Sequence, residues 1–337
     1  MYFIWAILGF SLIIIVHELG HFILAKLNGI KVLEFSIGMG PKIYSYQGKE
    51  TKYSIGLLPI GGYVNMLGEG EESDEEGSFS SKHPLRRLSV VLAGAFMNFV
   101  LAMVIFVIIF SKIGFSIPVI SSIEDNMPLK EAGLLNGDKI VEVNGSKIHT
   151  SSDLSLEISQ AKDSTMKIVY ERDGEKKEAN VTPVYDEERE TYRIGFTYET
   201  VKNPTVVQCV KEGANQTISL VSQTFKSLGM IFTGKANLKT DVGGPVTIVR
   251  MSSQAAKVGI MNLFMLVAIL SVSVGIFNLL PFPALDGGWS VLLIIEFITK
   301  KKVPDKVVGV LNTIGFMILI GIMVLVTIKD ILYPINL

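Results

Sequence analysis

The chain has 337 residues, and only 19% of them are charged, against about 25% in ordinary globular proteins. The mean hydropathy is +0.44 and the formal net charge is −1, so the composition argues against an ordinary soluble domain and predicts no nucleic-acid partner. The single cysteine, Cys209, excludes an internal disulfide.

Four segments are almost free of charge, and each is long enough to cross a bilayer, which takes about 20 apolar residues. Glu18 is the one formally charged residue within them. The first segment lacks the basic start and the small-residue cleavage site of a signal peptide, so we interpret it as a membrane helix. The sequence therefore predicts four transmembrane helices, within Met1–Ala25, Leu88–Phe110, Val258–Leu285 and Val307–Ile328.

The first segment carries the sequence His17-Glu18-Leu19-Gly20-His21. On a helix, residues four apart share a face, so both imidazoles can reach one metal ion and Glu18 can activate a water molecule there. Ionisable side chains inside a membrane span are costly and indicate function. The alternative is a buried hydrogen-bonded cluster without a metal.

The segment after the first helix is extended in character. Residues 42–46 and 51–57 flank a Gln-Gly-Lys-Glu turn and predict a β-hairpin. The acidic run at 69–77 is typical of a solvated loop.

Residues 115–200 predict a small β-domain. Residues 132–145 closely resemble the PDZ-domain pattern A-G-L-x-x-G-D-x-I-x-x-V-N-G, which implies a β-sandwich with two helices. Residues 204–228 follow with apolar side chains at steps of three and four. Their polar residues make a membrane span improbable, so we expect an amphipathic helix on the outer membrane surface or against the bundle.

The third apolar segment ends in a sequence that breaks a helix. Pro281 and Pro283 precede Asp286, which is the one ionisable side chain between 258 and 295. Backbone freed at membrane depth is tolerated only inside protein or beside a water-filled cavity. A carboxylate at such a break is what a metal site would require; the alternative is an aspartate that caps the next helix.

The distribution of basic residues predicts the orientation. The loops between the first two spans and between the last two spans carry the basic residues and belong in the cytoplasm. Both termini and the 112–257 segment then face outward. The basic residues are Lys26, Lys31, Lys82, Arg86 and Arg87 in the first loop, and Lys300, Lys301, Lys302 and Lys306 in the second.

Taken together, the motif at 17–21, the PDZ-like pattern and Asn278-x-x-Pro-x-Pro-x-x-x-Asp286-Gly resemble the site-2 protease family of intramembrane metalloproteases. The resemblance is closest to the bacterial branch that regulates extracytoplasmic sigma factors. It implies His17, His21 and Asp286 as zinc ligands, Glu18 as catalytic base, and Asn278 as a residue that contacts substrate.

The resemblance also covers other segments. The run at 93–98 is similar to the family's A-G-P-x-x-N, which suggests substrate-binding roles for Gly94 and Asn98; the alternative is close helix packing with one interhelical hydrogen bond. The hairpin matches a membrane-associated β-loop that holds substrate as an added strand. Residues 242–246 resemble another recurrent family segment.

We therefore expect a polytopic α-helical membrane protein with four transmembrane helices, a membrane-associated β-hairpin and an inserted extracytoplasmic PDZ β-sandwich domain. The expected domains are an N-terminal catalytic membrane part at 1–111, the PDZ domain at 115–200, an amphipathic helix and linker at 201–257, and a C-terminal catalytic membrane part at 258–337. The resemblance implies a multi-pass protein of the bacterial plasma membrane.

The implied activity is zinc-dependent cleavage of single-span membrane proteins within or near the bilayer. The implied substrates are anti-sigma factors after a first external cut, or remnant signal peptides. Two other functions stay open at this point. One is a non-catalytic scaffold that presents the PDZ domain, and the other is a transporter with a broken third helix.

Overall fold

The computed structural model describes residues 2–70, 73, 75–234, 237 and 242–335 of the chain. The predicted acidic run at 69–77 therefore lies partly outside the described residues. The helices are α1 Tyr2–Leu27, α2 Pro84–Ile113, α3 Pro128–Glu131, α4 Ser151–Ala161, α5 Val206–Phe232, α6 Pro245–Val258, α7 Ile260–Leu279, α8 Asp286–Thr299 and α9 Asp305–Leu332.

The strands fall into three sheets. They are β1 Val32–Gln47, β2 Lys52–Met66, β3 Phe115–Ile123, β4 Lys139–Val143, β5 Ser146–Lys147, β6 Met166–Arg172, β7 Glu175–Val181, β8 Val184–Asp186, β9 Thr191–Arg193 and β10 Phe196–Val201. β1 and β2 form one sheet, β8 and β9 form another, and the largest sheet has the order β10-β3-β4-β6-β7 with β5 paired to β4.

The chain divides into two compact units. The helical unit comprises Met1–Ala102 and Thr224–Leu337, and the β unit comprises Met103–Gln223. Both α2 and α5 contribute turns to each unit, so the division falls inside helices. The four predicted domains at 1–111, 115–200, 201–257 and 258–337 stay a prediction.

Four described helices are long and apolar enough to cross a membrane, as predicted. They are Trp5–Leu27, Pro84–Ile113, Ile260–Leu279 and Lys306–Leu332. The third ends six residues earlier than the apolar segment does, because the chain leaves helical geometry at Leu280 and passes through Pro281 and Pro283.

The predicted hairpin is present and is longer than expected. Its turn is closed by the Gly48 amide, which donates to the Thr51 carbonyl at 3.0 Å. Residues 34–37 of β1 lie between two segments of β2, so that Ile37 is opposite both Ile55 and Gly62. The alternation in the sequence predicted only the part of the hairpin near its turn, because the second pairing depends on where the chain returns.

The β unit encloses its own core, built from the sheet and the helices α3 and α4. Leu129 and Leu154 from the two helices are fully buried against Ile120, Ile140 and Ile168 from the strands. This arrangement of strands around two helices is what the PDZ-like pattern predicted.

Helix α5 is amphipathic as predicted, but its polar side is the buried one. Glu212, Gln216 and Ser219 are buried, whereas Val210 and Ile218 on the apolar side are exposed. Ser219 and Gln223 both donate hydrogen bonds to Asp153 of α4. The apolar side is thus left free of protein contacts that would bury it, which suits a helix lying at a lipid surface.

The segment at 242–246, which resembles a recurrent family segment, leads into helix α6. Asp330 of α9 accepts hydrogen bonds from the amides of Gly244 (3.0 Å) and Thr247 (2.8 Å) through one carboxylate oxygen. A β-carbon on Gly244 would come within 2.5 Å of Val326, so glycine is needed for the two helices to approach this closely. Asp330 therefore caps α6 from a neighbouring helix, and α6 in turn packs against α1.

Candidate active site

Helix α1 brings His17, Glu18 and His21 to the same end of the helix. The imidazoles stand one turn apart, and their Nε2 atoms are 3.1 Å from each other. His17 is buried, and His21 is half-buried. The four-residue spacing therefore places both rings where one ion could contact both nitrogens.

Asp286 reaches the same point from the other end of the chain. It is the first residue of α8, directly after the turns at 280–285, and it forms no hydrogen bond that caps its own helix. Its Oδ2 atom lies 3.1 Å from Nε2 of His17 and 3.5 Å from Nε2 of His21. His17, His21 and Asp286 thus form a group whose ligand atoms all lie within 4.8 Å of one another.

The surroundings of the two imidazoles fit a metal ion. Nδ1 of His21 donates to the Val90 carbonyl at 2.9 Å, which leaves its Nε2 lone pair directed at Asp286. The Asn98 amide contacts Nδ1 of His17 at 3.3 Å. With Nε2 of His17 on a metal, Nδ1 would carry the proton and the Asn98 amide would present its oxygen to it.

Two buried oxygen atoms in this region have no hydrogen-bond partner among the described residues. They are Oδ2 of Asp286 and Oδ1 of Asn98. Buried oxygens are normally satisfied, because a missing partner costs about 1–3 kcal/mol. An ion held by the two imidazoles would supply the partner of Asp286. Two nitrogens and one carboxylate oxygen are a donor set typical of catalytic zinc, so the residues fit that metal.

Gly94 explains how α2 can pass so close to the site. A β-carbon at Gly94 would lie 2.5 Å from Nε2 of His21 and 2.7 Å from Nε2 of His17. A β-carbon at Gly20 of α1 would similarly lie 2.4 Å from the Ala93 carbonyl oxygen. The two glycines thus allow the helices to approach at the level of the imidazoles.

Asn98 contacts the His17 imidazole, and Gly94 leaves no room for a β-carbon beside the two imidazoles. Asn98 is fully buried, and neither residue is among those that line the cavity next to the site. A substrate-binding role for either residue stays a prediction.

A cavity of about 320 Å³ opens beside the three clustered side chains. Glu18 and Asn278 both line it, as do Tyr63 and Val64 from β2. The full lining is His17, Glu18, His21, Tyr63, Val64, Met66, Glu69, Phe79, Val91, Asn278, Asp286 and Trp289.

The sequence motifs contain the residues of the candidate site, but several groups that surround the site lie outside these motifs. The Val90 carbonyl is a backbone group, so no residue type at position 90 could have signalled it. Phe79 and Trp289 lie in the chain as ordinary apolar residues. Glu69 lies in the acidic run at 69–77, whose composition is typical of a solvated loop.

Comparison with known proteins identifies relatives along nearly the whole chain. The family description "Peptidase family M50" matches residues 5–322. A Clostridium perfringens protein named "putative zinc metalloprotease" is 49% identical over 335 residues, which cover 99% of this chain and 100% of that protein. The "regulator of sigma-W protease RasP" of Bacillus subtilis is 31% identical, covering 96% of this chain and 97% of its own.

Among solved structures, the PDZ domain of an SdrC-like protein from Listeria monocytogenes is similar to part of the chain. The identity is 25%, the match covers 26% of this chain and 92% of that domain, and the TM-score is 0.23.

Proposed function

Since the chain belongs to peptidase family M50, the site-2 type of metalloprotease, we propose that it is a zinc-dependent endopeptidase that cleaves single-span membrane proteins within or near the bilayer. One observation carries the proposal: Asp286 meets His17 and His21 at the wall of a cavity that Glu18 also lines. Neither a scaffold nor a transporter requires this combination.

His17, His21 and Asp286 would hold the zinc ion beside the cavity that all three line. When bound, zinc polarises the scissile carbonyl and makes water a stronger nucleophile. Glu18 would take a proton from the attacking water and later deliver it to the leaving amine nitrogen. The place of Glu18 in the wall of the same cavity as the three proposed ligands supports this role.

The last segment of β2 offers a way to present the substrate. Residues 62–65 pair with β1 along one edge, and no described strand pairs with the other edge. Tyr63 and Val64 of this segment line the cavity. A substrate helix must unwind before attack, because its peptide bonds are already hydrogen-bonded, and an extended substrate could add to the free edge as a further strand.

Substrate class and orientation belong to the proposal as well. The relative in Bacillus subtilis is named a regulator of sigma-W protease, which supports a membrane-anchored anti-sigma factor as substrate; a remnant signal peptide fits the same site. We place the protein in the bacterial plasma membrane with both termini and the PDZ-like domain outside. Cysteines introduced on the outer side should react with an impermeant thiol reagent, and cysteines introduced on the cytoplasmic side should not. The opposite labelling pattern would show that this orientation is wrong.

The test of the enzyme uses wild-type protein and Glu18→Gln, each purified with its zinc and incubated with a single-span membrane substrate. We expect Glu18→Gln to abolish cleavage and to keep its zinc, because Glu18 is proposed as the base and not as a ligand. Zinc analysis and the cleavage assay are made on the same preparation. A non-catalytic scaffold would lack zinc, and its function would not depend on Glu18. Cleavage by Glu18→Gln would contradict the proposed mechanism.

A further inference from the structure

A third carboxylate faces the cavity, in addition to Glu18 and Asp286. Glu69 lines the cavity, and its side chain is exposed there. The family motif gives it no role, and the sequence alone places it in a solvated acidic loop. Among the described residues that line the cavity there is no lysine or arginine.

The backbone around Glu69 holds the carboxylate in place. The Glu69 amide donates to the Met66 carbonyl at 3.2 Å, and the Met66 amide donates back to Oε2 of Glu69 at 3.3 Å. The turn is anchored further by the Leu67 amide, which donates to the Lys31 carbonyl, and by the Phe79 amide, which donates to the Leu67 carbonyl. Glu69 is therefore a fixed feature of the cavity wall.

The charge of the cavity is unbalanced by this residue. A divalent zinc ion would be neutralised by Asp286 and Glu18, since the two imidazoles bind a metal in their neutral form. Partial removal from water inside the cavity raises the pKa of Glu69 to about 7, so its carboxylate is ionised in part at neutral pH and has no cationic side chain beside it among the cavity-lining residues. In a partly enclosed site such a charge favours a ligand that brings a cationic group.

The position of Glu69 relative to β2 indicates where that group would come from. Glu69 is three residues past Met66, the last residue of β2, and the proposed substrate strand would run along residues 62–65. An extended substrate on that edge would pass the Glu18 carboxylate and reach the turn that carries Glu69. The cationic group would then belong to the substrate segment next to the scissile bond.

We infer that Glu69 is a specificity-determining residue that binds a cationic group of the substrate close to the scissile bond. This inference rests on the proposed function. Two sources would supply the same chemistry: a lysine or arginine side chain of the substrate, or the ammonium group of the new N-terminus that cleavage creates. If Glu69 only stabilised the turn at 66–69, it would bind neither of these cationic groups.

The test uses full-length zinc-loaded protein and two single-span substrates that differ only in lysine or methionine beside the cleavage site. Wild type, Glu69→Gln and the matched control Glu75→Gln are compared by kcat/KM. Glu75 is an exposed acid of the same loop and does not line the cavity, so it reports the effect of lost loop charge alone. Glu69→Asp shows whether a shorter acid restores the behaviour, and zinc content is measured for every variant.

If the substrate side chain is the source, wild type prefers the lysine substrate by about tenfold, which corresponds to about 1.4 kcal/mol. Glu69→Gln loses this preference, Glu69→Asp keeps part of it, and Glu75→Gln behaves as wild type. If the new ammonium group is the source, Glu69→Gln lowers kcat equally on both substrates. The product that carries the new N-terminus should then inhibit Glu69→Gln less than it inhibits wild type.

Other outcomes overturn the inference. Equal kinetics of wild type and Glu69→Gln on both substrates would remove it while leaving the protease activity established. Loss of zinc from Glu69→Gln would show that Glu69 serves the metal site or the fold. Failure of wild type to cut either substrate would reject the proposed function itself, and the inference with it.

Discussion

Each of the two compact units contains an aspartate near the start of a helix, and the two side chains are used in opposite ways. Asp153 of the β unit is buried, and its carboxylate accepts the amides of His149 and Thr150 at 3.0 and 3.1 Å. The Ser219 hydroxyl and the Gln223 amide donate to it as well. Asp286 of the helical unit caps nothing, and its buried Oδ2 has no hydrogen-bond donor among the described residues.

The difference separates a stabilising carboxylate from one available to a ligand. A carboxylate has about four acceptor sites, and Asp153 has filled them with protein donors. Asp286 has kept an oxygen free beside two imidazole nitrogens, at an energetic cost that a bound metal would remove. We therefore expect substitutions of the two residues to affect different properties of the protein.

The largest effect is expected for Asp286→Ala. It removes a proposed zinc ligand, so zinc content and proteolysis should both fall. Loss of a residue that only supports a ligand lowers metal affinity by up to about 100-fold, so loss of the ligand itself should lower it by at least that factor. The thermal stability of the zinc-free protein should fall little, because no hydrogen bond from the protein is lost at Oδ2. Zinc titration and calorimetry of zinc-free protein measure the two properties. Normal zinc binding by Asp286→Ala would place the third ligand elsewhere.

A smaller effect is expected for Asn98→Ala, which leaves all three proposed ligands in place. The amide of Asn98 contacts Nδ1 of His17, so its loss should weaken zinc binding by about 10–100-fold. Asn98→Asp should bind zinc close to normally, because a carboxylate oxygen can accept the same proton. Zinc competition with a chelator gives the affinity of each variant.

Asn278→Ala is the matched control for that substitution, since Asn278 lines the cavity and does not contact the imidazoles through a described hydrogen bond. It should lower turnover and leave zinc affinity unchanged. If Asn98→Ala behaved in the same way, with normal zinc affinity and a raised KM, Asn98 would be a substrate-binding residue and its contact with His17 would be incidental.

The sequence predicted those parts of the molecule in which spacing along the chain decides geometry. The four-residue step of His17 and His21 fixes a shared helix face, and Pro281 and Pro283 fix a break before Asp286. The four apolar segments are long enough to cross a membrane, and the structure has a helix of sufficient length in each. Spacing could not predict which side of α5 is buried. In a soluble protein the apolar side of a helix packs against the protein core, but at a membrane it can face lipid.

Contacts made across long stretches of chain were also beyond the sequence. The Val90 carbonyl on His21, the Asp330 cap on α6 and the turn that holds Glu69 all join residues whose types are common in loops and helix ends. Each becomes visible only when the packing of helices is known. The sequence thus indicated the candidate reacting groups, and the structure adds neighbouring groups that contact them.

The smallest effect on catalysis is expected for Asp153→Asn, which tests the other side of the comparison. Burial alone would raise the pKa of Asp153, but hydrogen bonds from Ser219, Gln223 and the His149 and Thr150 amides outweigh burial and lower it. A lowered pKa in the folded state means that the carboxylate stabilises the fold fully above its unfolded pKa of about 3.9. This contribution is lost as the pH falls through the lower, folded value.

At neutral pH we therefore expect Asp153→Asn to destabilise the junction of α4 and α5 by about 1–3 kcal/mol, because an amide group cannot accept all four donors. Hydrogen exchange of full-length protein should then be faster in residues 150–161 and 216–223, and unchanged in α1 and α8. The difference between variant and wild type should shrink in acid, where the wild-type carboxylate is protonated too. Zinc content should match wild type throughout, and a loss of zinc in Asp153→Asn would show that the carboxylate of the β unit serves the metal site and is not a purely local stabiliser.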